Sequence, residues 1–171
     1  MKKIIFKFLL ILLCCLISSN TYANKIAYVD IDYILNKSIK GQEISNILEK
    51  ESNISNDKLM KIELGLKIEE KQIISKKNIL NDNEFKKLVQ NFQEKVNDYN
   101  LKKKNSNNKL NEMKINLTKD FIEQINPIFV EFAQKNSISI ILKKKDIIIG
   151  DTNLDVTLEF LNLVNEKINN E

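Results

Sequence analysis

The sequence NILNDN (78–83) decides the fold, because it interrupts a long region, residues 42–136, in which apolar residues recur at helical spacing. Asn and Asp favour turns and helix N-caps. Either Asp82 or Asn83 could cap a helix that begins at Glu84. We therefore predict two long antiparallel helices joined at a tip within this short stretch.

Apolar residues on both sides of the tip form a narrow, heptad-like stripe, which indicates that each helix packs against one partner helix. The first helix, of about 37 residues, would measure ~55 Å, and the second, of about 52 residues, ~78 Å. A compact domain of this size has a radius of gyration of only ~15 Å, so the hairpin must protrude. The stripe consists of Ile44, Ile47, Leu48, Ile54, Leu59, Ile62, Leu66 and Ile73 before the tip, and of Phe85, Leu88, Phe92, Val96, Tyr99, Leu110, Met113, Leu117 and Phe121 after it.

Three features near or within the helices depart from a regular seam. Lys103 and Ser106 stand where apolar residues are due, so we expect the hairpin to bend or open near its middle. Pro127 should kink the second helix or mark its entry into a body. Gly41 is expected to break the chain before the first helix. The alternative interpretation is a single bent coiled coil without a turn.

The two ends of the chain outside this region have strand-like patterns. Residues 25–31 (KIAYVDI) are apolar on both faces, which is typical of a strand buried on both sides. Residues 137–142 (SISIIL) and 146–149 (DIII) are β-branched runs that predict a hairpin closed by Gly150. Residues 154–169 return to helical spacing. The candidate caps of this last helix are Asp151, Thr152 and Asn153.

Together these segments predict an α+β fold that is mainly α, with a small β body from which the helical hairpin projects as a coiled-coil arm. The strands can share a sheet only if residues about 110 apart meet at the base of the arm. Such a small sheet is not stable alone, so we expect self-association. Residues 24–40 and 120–171 are assigned to this oligomerisation body and residues 41–119 to the arm. The body residues expected to mediate association are Ile26, Tyr28, Val29, Ile140, Ile141 and Ile148.

Residues 1–23 are typical of a secretory signal peptide. Lysines precede an apolar run, residues 8–17, which is too short to span a bilayer comfortably, and Thr-Tyr-Ala (21–23) fits a cleavage site. A permanent membrane anchor is the alternative. Cleavage would remove both cysteines and leave 148 residues with a net charge of +1.

The composition argues against an enzyme. The chain has no His, which excludes His-dependent catalysis and Cys/His zinc sites. Its three glycines are isolated, so no phosphate-binding loop or dinucleotide fingerprint is present. Asp30 and Asp32 form a close carboxylate pair, but capping of a short helix over residues 33–37 explains them more simply than acid–base chemistry. We therefore predict no catalytic residue, no cofactor and no metal.

The predicted arm is basic and the predicted body acidic. Residues 58–119 hold 15 Lys and 8 acidic residues, a net charge of +7, whereas residues 120–171 have a net charge of −4. Such a field attracts acidic chains or anionic lipid headgroups and weakens with salt. A solvated lysine-rich surface is the alternative, and without Arg the bidentate phosphate contact is absent. The candidate client- or lipid-binding residues are Lys76, Lys77, Lys86, Lys87, Lys102, Lys103 and Lys104.

This order of segments resembles the Skp (OmpH-like) family of periplasmic chaperones. The resemblance rests on KIAYVDIDYILNKS (25–38), the Lys-rich hairpin, FVEFAQKNSISIIL (129–142) and DIIIGDTNLDVT (146–157). It implies a homotrimer whose arms enclose a cavity. It also implies an ATP-independent periplasmic holdase for unfolded outer-membrane β-barrel proteins, with lipopolysaccharide or phospholipid as possible partners of the arm tips.

Two other functions fit parts of the pattern. A structural or adaptor coiled coil of the cell envelope would need flanking β-rich modules, for which too few residues are left. Nucleic-acid binding by the basic arm is opposed by the export signal, so we expect no specific nucleic-acid partner. A holdase chaperone is therefore the predicted function.

Overall fold

The computed structural model describes residues 25–168. The predicted signal peptide, residues 1–23, lies outside the described residues. In chain order the elements are β1 (Lys25–Val29), α1 (Ile31–Lys37), α2 (Ile39–Lys76), α3 (Asp82–Lys135), β2 (Ile138–Lys143), two short 3-10 helices (Lys144–Asp146 and Thr152–Leu154) and α4 (Thr157–Ile168).

Helices α2 and α3 form the predicted hairpin, with lengths of ~57 Å and ~81 Å at the standard rise per residue. The N-cap of α3 is Asn81, whose side chain accepts a hydrogen bond from the Glu84 N–H at 3.0 Å. The prediction of Asp82 or Asn83 as the cap was therefore wrong. Asp82 instead lies in the first turn, where its negative charge is favourable near the positive end of the helix dipole.

Gly41 lies inside α2, so the prediction that it breaks the chain was wrong. The break is at Ser38, which has an extended backbone and accepts a hydrogen bond from the Gly41 N–H at 3.0 Å. Glycine is required at this position because a Cβ there would lie 1.6 Å from the carbonyl oxygen of Leu35. The close approach sets the sharp turn between α1 and α2. Asp30 caps α1, as predicted, by accepting from the Tyr33 N–H at 2.8 Å.

Strands β1 and β2 form a two-stranded parallel sheet in which Lys25 lies opposite Ile138, 113 residues later. The prediction that the two ends of the chain share a sheet at the base of the arm is thus confirmed. A parallel pair needs a long crossover connection. Here the whole arm is that connection.

The predicted hairpin between residues 137–142 and 146–149 is absent from the described part of the chain, so that prediction was wrong. A 3-10 helix follows β2 directly, and residues 146–149 form no strand. The Lys144 ammonium lies 2.7 Å from the Asp155 carboxylate and 5.9 Å from the centre of the Tyr28 ring. These contacts direct the chain across β1 instead of back along β2.

A single hydrophobic core lies where the sheet, the base of α3 and α4 meet. The fully buried Phe160 ring stacks on Phe129, with ring centres 3.7 Å apart, and meets the edge of Phe132. Helix α4 begins at Thr157, later than predicted, because Asp155 accepts a hydrogen bond from the Thr157 N–H at 3.0 Å. The predicted mainly α fold with a small β body is confirmed. The buried core residues are Ala27, Val29, Ile34, Ile44, Phe121, Ile125, Ile128, Phe132, Ile138, Val156, Phe160 and Val164.

Candidate functional site

Polar contacts join α2 to α3 along the middle of the arm, where the sequence pattern predicted a defect at Lys103 and Ser106. From the base of the arm to its tip, the residue numbers of the contacts increase in α2 and decrease in α3, as expected for an antiparallel hairpin. Only the Tyr99–Glu63 contact includes an aromatic side chain. From base to tip the contacts are Lys109–Glu51 (2.7 Å), Ser106–Ser55, Tyr99–Glu63 (3.2 Å) and Lys95–Glu69 (2.7 Å).

Neighbouring groups shift the pKa values of three residues in these contacts, Glu51, Glu63 and Tyr99. A hydrogen bond from Lys109 lowers the pKa of Glu51 below its ordinary value. The pKa of Glu63 is also lowered, first by a hydrogen bond from Lys67 and then by the Tyr99 hydroxyl. Partial burial and the Glu63 carboxylate raise the pKa of Tyr99. Glu51 and Glu63 are therefore ionised at neutral pH and Tyr99 is not, so the Lys109–Glu51 and Tyr99–Glu63 contacts are charge-assisted.

The apolar seam is not sealed along this part of the arm. Among the described residues, no side chain of α2 between Ile44 and Ile73, and none of α3 before Phe121, is buried. Ile47 and Ile54, which we predicted to lie in the seam, are substantially exposed. A set of apolar side chains is thus open to solvent along the arm. The sequence analysis assigned only Ile47 and Ile54 of this set to the seam and did not single out the others. This set, the arm apolar surface, comprises Ile47, Ile54, Met60, Leu64, Ile68, Ile74, Leu101 and Ile115.

The seven lysines predicted to bind clients or lipid fall into two separate groups. Lys76 and Lys77 end α2 and Lys86 and Lys87 lie in the first turns of α3, so these four surround the tip. Residues 102–104 lie ~25 Å further along α3 than Lys86 and Lys87. All seven side chains are exposed. Within residues 25–168, only Lys102 of this set forms an ion pair, with Asp98 at 2.6 Å.

The tip also carries an apolar residue that the sequence analysis did not single out. Ile79 exposes 79% of its surface in the turn between the two lysine pairs. Beside it, Leu80 and Leu88 line a shallow groove between the ends of the two helices. The tip therefore combines positive charge with an exposed apolar side chain.

The predicted oligomerisation residues lie on both faces of the sheet. Val29 is buried against the core, and Ile141 packs partly against it. Tyr28 points to the other face but is covered by the segment after β2, because Lys144 lies over its ring. The part of that face left open, the outer sheet face, consists of Ile26, Ile140 and Leu142.

The segment after β2 carries two isoleucines with almost no cover. Ile148, which was predicted to be in the association surface, exposes 99% of its surface, and its neighbour Ile149 exposes 91%. Ile149 and Leu142 were missed, although the β-branched run at 146–149 and the alternation within β2 could have indicated them. The Asp155 that anchors this segment has a lowered pKa. Burial, the largest influence, raises that pKa, but hydrogen bonds from Lys144 and Thr157 outweigh it.

A groove of about 530 Å³ lies at the carboxyl ends of the two strands, between α1 and the base of α3. Its apolar lining includes Leu35, Ile122 and Phe129. Lys143–Lys145 form part of its rim. The groove thus combines an apolar floor with positive charge next to the strand ends.

The described residues offer no obvious metal centre, since no three His, Cys, Asp or Glu side chains among them are grouped to hold an ion. None of the helices in residues 25–168 combines the length and apolar character needed to cross a bilayer.

Comparison with known proteins supplies a family. The model of the family described as outer membrane protein (OmpH-like) matches residues 25–163. No curated protein matches the chain. The crystal structure of a proposed outer membrane chaperone (OmpH-like) from Caulobacter crescentus CB15 shares the fold, with a TM-score of 0.75. The two chains are 14% identical, and the alignment covers 83% of this chain and 84% of that one.

Proposed function

The chain belongs to the OmpH-like family of outer membrane proteins, and on that premise we propose that it is an ATP-independent holdase chaperone of the periplasm. Its clients are unfolded outer-membrane β-barrel proteins, which it keeps from aggregating in transit. The predicted family membership is confirmed by the match over residues 25–163. The observation that carries the proposal is the arm apolar surface on a long, basic hairpin.

The arm fits the demands of reversible binding without a nucleotide. An unfolded β-barrel protein presents many short apolar segments that aggregate when they meet each other. Half-exposed side chains such as Met60, Leu64 and Ile68, spread along a helix, offer many weak contacts whose sum is tight. Each contact remains individually easy to break, so the client can be released without ATP.

Charge supports the same role. The lysines of the arm attract net acidic clients and raise encounter rates, an effect that fades with salt. At the tip, Ile79 surrounded by lysines fits an anionic lipid or lipopolysaccharide surface, where an apolar side chain enters the interface and ammonium groups meet headgroup charges. Co-sedimentation with anionic but not neutral vesicles tests that contact.

Assembly completes the proposed chaperone. A homotrimer that is joined through the bodies would place three arms around one cavity. The outer sheet face and the exposed Ile148 support association, because apolar surface of this kind gains free energy on burial. Native mass of the purified protein is the direct measurement.

A light-scattering assay tests the function. An outer-membrane β-barrel protein diluted from urea should remain soluble in the presence of a stoichiometric amount of the oligomer, without nucleotide. A variant with Met60→Gln, Leu64→Gln and Ile68→Gln should suppress scattering several-fold less well, because it loses part of the arm apolar surface. The matched control, Asn46→Gln and Asn53→Gln on the same helix, changes exposed polar side chains and removes neither a lysine nor an apolar contact.

Aggregation that proceeds at the same rate with and without the protein would contradict the holdase proposal. It would favour the structural or adaptor coiled coil instead. Equal suppression by the triple Gln variant and the parent would show that the arm apolar surface is not the client site.

A further inference from the structure

A row of apolar side chains runs along the outer face of α2. Met60, Leu64 and Ile68 follow one another at four-residue steps and expose 53%, 52% and 59% of their surfaces. Residues four apart lie one above the other on the same face of a helix. Among the large apolar side chains that are exposed in residues 25–168, no other three form such a row. We call these three residues the α2 ridge.

The ridge points away from the partner helix. Ile62 and Leu66, on either side of Leu64 in sequence, are half-buried. They lie on the same face as Ser55, which contacts Ser106 of α3. Residues two apart in a helix lie on nearly opposite faces, so Leu64 is directed outward. The packing of one arm therefore does not account for the ridge and leaves it open to a partner.

The ridge also lies far from the body. Ile44 is the residue of α2 that is buried in the hydrophobic core. Leu64 lies ~30 Å further along the same helix. A partner on the ridge must therefore lie along the arm, which is where the proposed function places an unfolded client.

The spacing of the ridge matches that of an extended chain. Four residues of α-helix rise ~6 Å. In a β-strand, side chains on one face recur every second residue, or every ~6.7 Å. Over the three members of the ridge the difference adds up to only ~1.4 Å, which a flexible side chain such as Met60 absorbs. Three side chains from one face of an extended segment can thus each contact one residue of the ridge.

Positive charge flanks the ridge. By their positions in the helix, Lys61 lies on one side of the row and Lys71 on the other. Both are exposed, and the ion pairs of this part of α2 are made by Glu63 and Glu69 without them. Ammonium groups are hydrogen-bond donors, and the backbone carbonyl groups of an extended chain are unpaired until the chain folds. The two lysines therefore complement such a chain and any carboxylates that it carries.

We propose that the α2 ridge recognises the alternation of apolar and polar residues in the strand segments of an unfolded β-barrel protein. The inference rests on the proposed function and names the feature of the client that is bound. Transmembrane strands alternate between apolar and polar residues, so one face of an extended segment presents a continuous apolar row. A segment with the same apolar residues in one block divides them between two faces and fills fewer positions of the ridge.

The methionine methyl groups provide a direct probe. The chain has 3 Met, of which Met60 lies in the ridge and Met113 in the half-buried seam of α3. Protein labelled with ¹³C at the methionine methyl groups is titrated with two peptides of identical composition. In one, valines alternate with serines; in the other, the same valines form one block; both have a glutamate at each end. The alternating peptide should shift the Met60 resonance at a several-fold lower concentration and leave Met113 unchanged.

A rearranged ridge separates spacing from apolar content. Lys61→Leu with Leu64→Lys keeps the composition and charge of the arm but removes the middle residue of the row. The preference for the alternating peptide should then disappear. The matched control, Lys50→Asn with Asn53→Lys, exchanges two exposed polar residues on the same helix and should keep the preference. Circular dichroism reports whether both variants remain helical, and an undiminished preference in the rearranged ridge would overturn the proposal.

The outcomes separate this inference from the proposed function. Equal Met60 shifts with both peptides, or none with either, in a protein that suppresses aggregation would overturn the inference and leave the holdase standing. A preference for the alternating peptide without suppression of aggregation would do the reverse. A Met60 resonance that moves when the protein alone is diluted would assign the ridge to a second copy of the chain, which also overturns the inference.

Discussion

The body and the arm are held together by different interactions. In the body, aromatic and aliphatic side chains from both ends of the chain are removed from water, with Phe160 and Ile125 fully buried. In the arm, two helices touch over tens of ångströms, but residues between Ile44 and Ile73 of α2 are at most partly buried and polar contacts join the helices. Regions with few buried apolar contacts open at low free energy, whereas a packed core opens only with global unfolding. We therefore expect the body to be rigid and the arm to open locally.

The largest expected effect is in the core of the body. Phe160→Ala removes a fully buried ring that stacks on Phe129 and should lower the free energy of unfolding by about 3–5 kcal/mol. Leu66→Ala, in the half-buried seam of the arm, should cost less than about 2 kcal/mol, since less apolar area is lost. Urea unfolding followed by circular dichroism at a fixed protein concentration gives both values. Equal losses would show that arm and body are one cooperative unit with similar packing.

The junction between the regions gives the next largest effect. Gly41→Ala should destabilise the protein by about 3 kcal/mol, because the new methyl group meets the Leu35 carbonyl oxygen and the α1–α2 turn must shift. Gly65→Ala is the matched control within the arm, where no atom lies within 4 Å of the added Cβ. It should instead stabilise the protein by about 0.5–1 kcal/mol, since Ala favours the helix. Thermal unfolding distinguishes the opposite signs, and a stabilised Gly41→Ala variant would disprove the close approach.

The smallest effect concerns the polar middle of the arm. Ser55→Leu together with Ser106→Leu replaces a hydroxyl pair by apolar side chains and should stabilise the hairpin by about 1 kcal/mol. Amide hydrogen exchange in the middle of α2 and α3 should become slower, while exchange in α4 stays unchanged. Asn105→Leu, at an exposed neighbouring position, is the control and should leave exchange unaltered. Faster exchange in the double variant would mean that the serines, and not the apolar seam, hold this part closed.

Much of the architecture could be predicted from spacing alone. Steps of three and four over residues 42–136, with one cluster of Asn and Asp, were sufficient for the hairpin, because helical periodicity is a local property of the sequence. The meeting of β1 and β2 followed from the doubling back of the arm. The cap was predicted at Asp82 or Asn83 and lies at Asn81, since neighbouring Asn and Asp residues have similar N-cap preferences.

The features that spacing could not predict depend on tertiary contacts. Residues 146–149 look like a strand, but Lys144 and Asp155 direct the chain elsewhere, and the two residues are eleven apart in sequence. The role of Gly41 depends on an approach of α1 that periodicity does not record. For the site, lysine clusters were visible in the sequence, whereas the exposure of Ile47 and Ile54, which spacing assigned to the seam, depends on how α2 packs against α3. The assignment of particular lysines to clients or lipid stays a prediction.

The parallel pairing of β1 with β2 makes the order of folding depend on the arm. Closing a loop of 113 residues between Lys25 and Ile138 in a disordered chain is slow and entropically costly. Once α2 and α3 have paired, starting from the turn that joins them, only a short effective loop separates the two strands. The shorter loop lowers the entropic free-energy cost of bringing the two strands together by roughly 2 kcal/mol. Formation of the helical hairpin thus brings β1 and β2 close together before they pair.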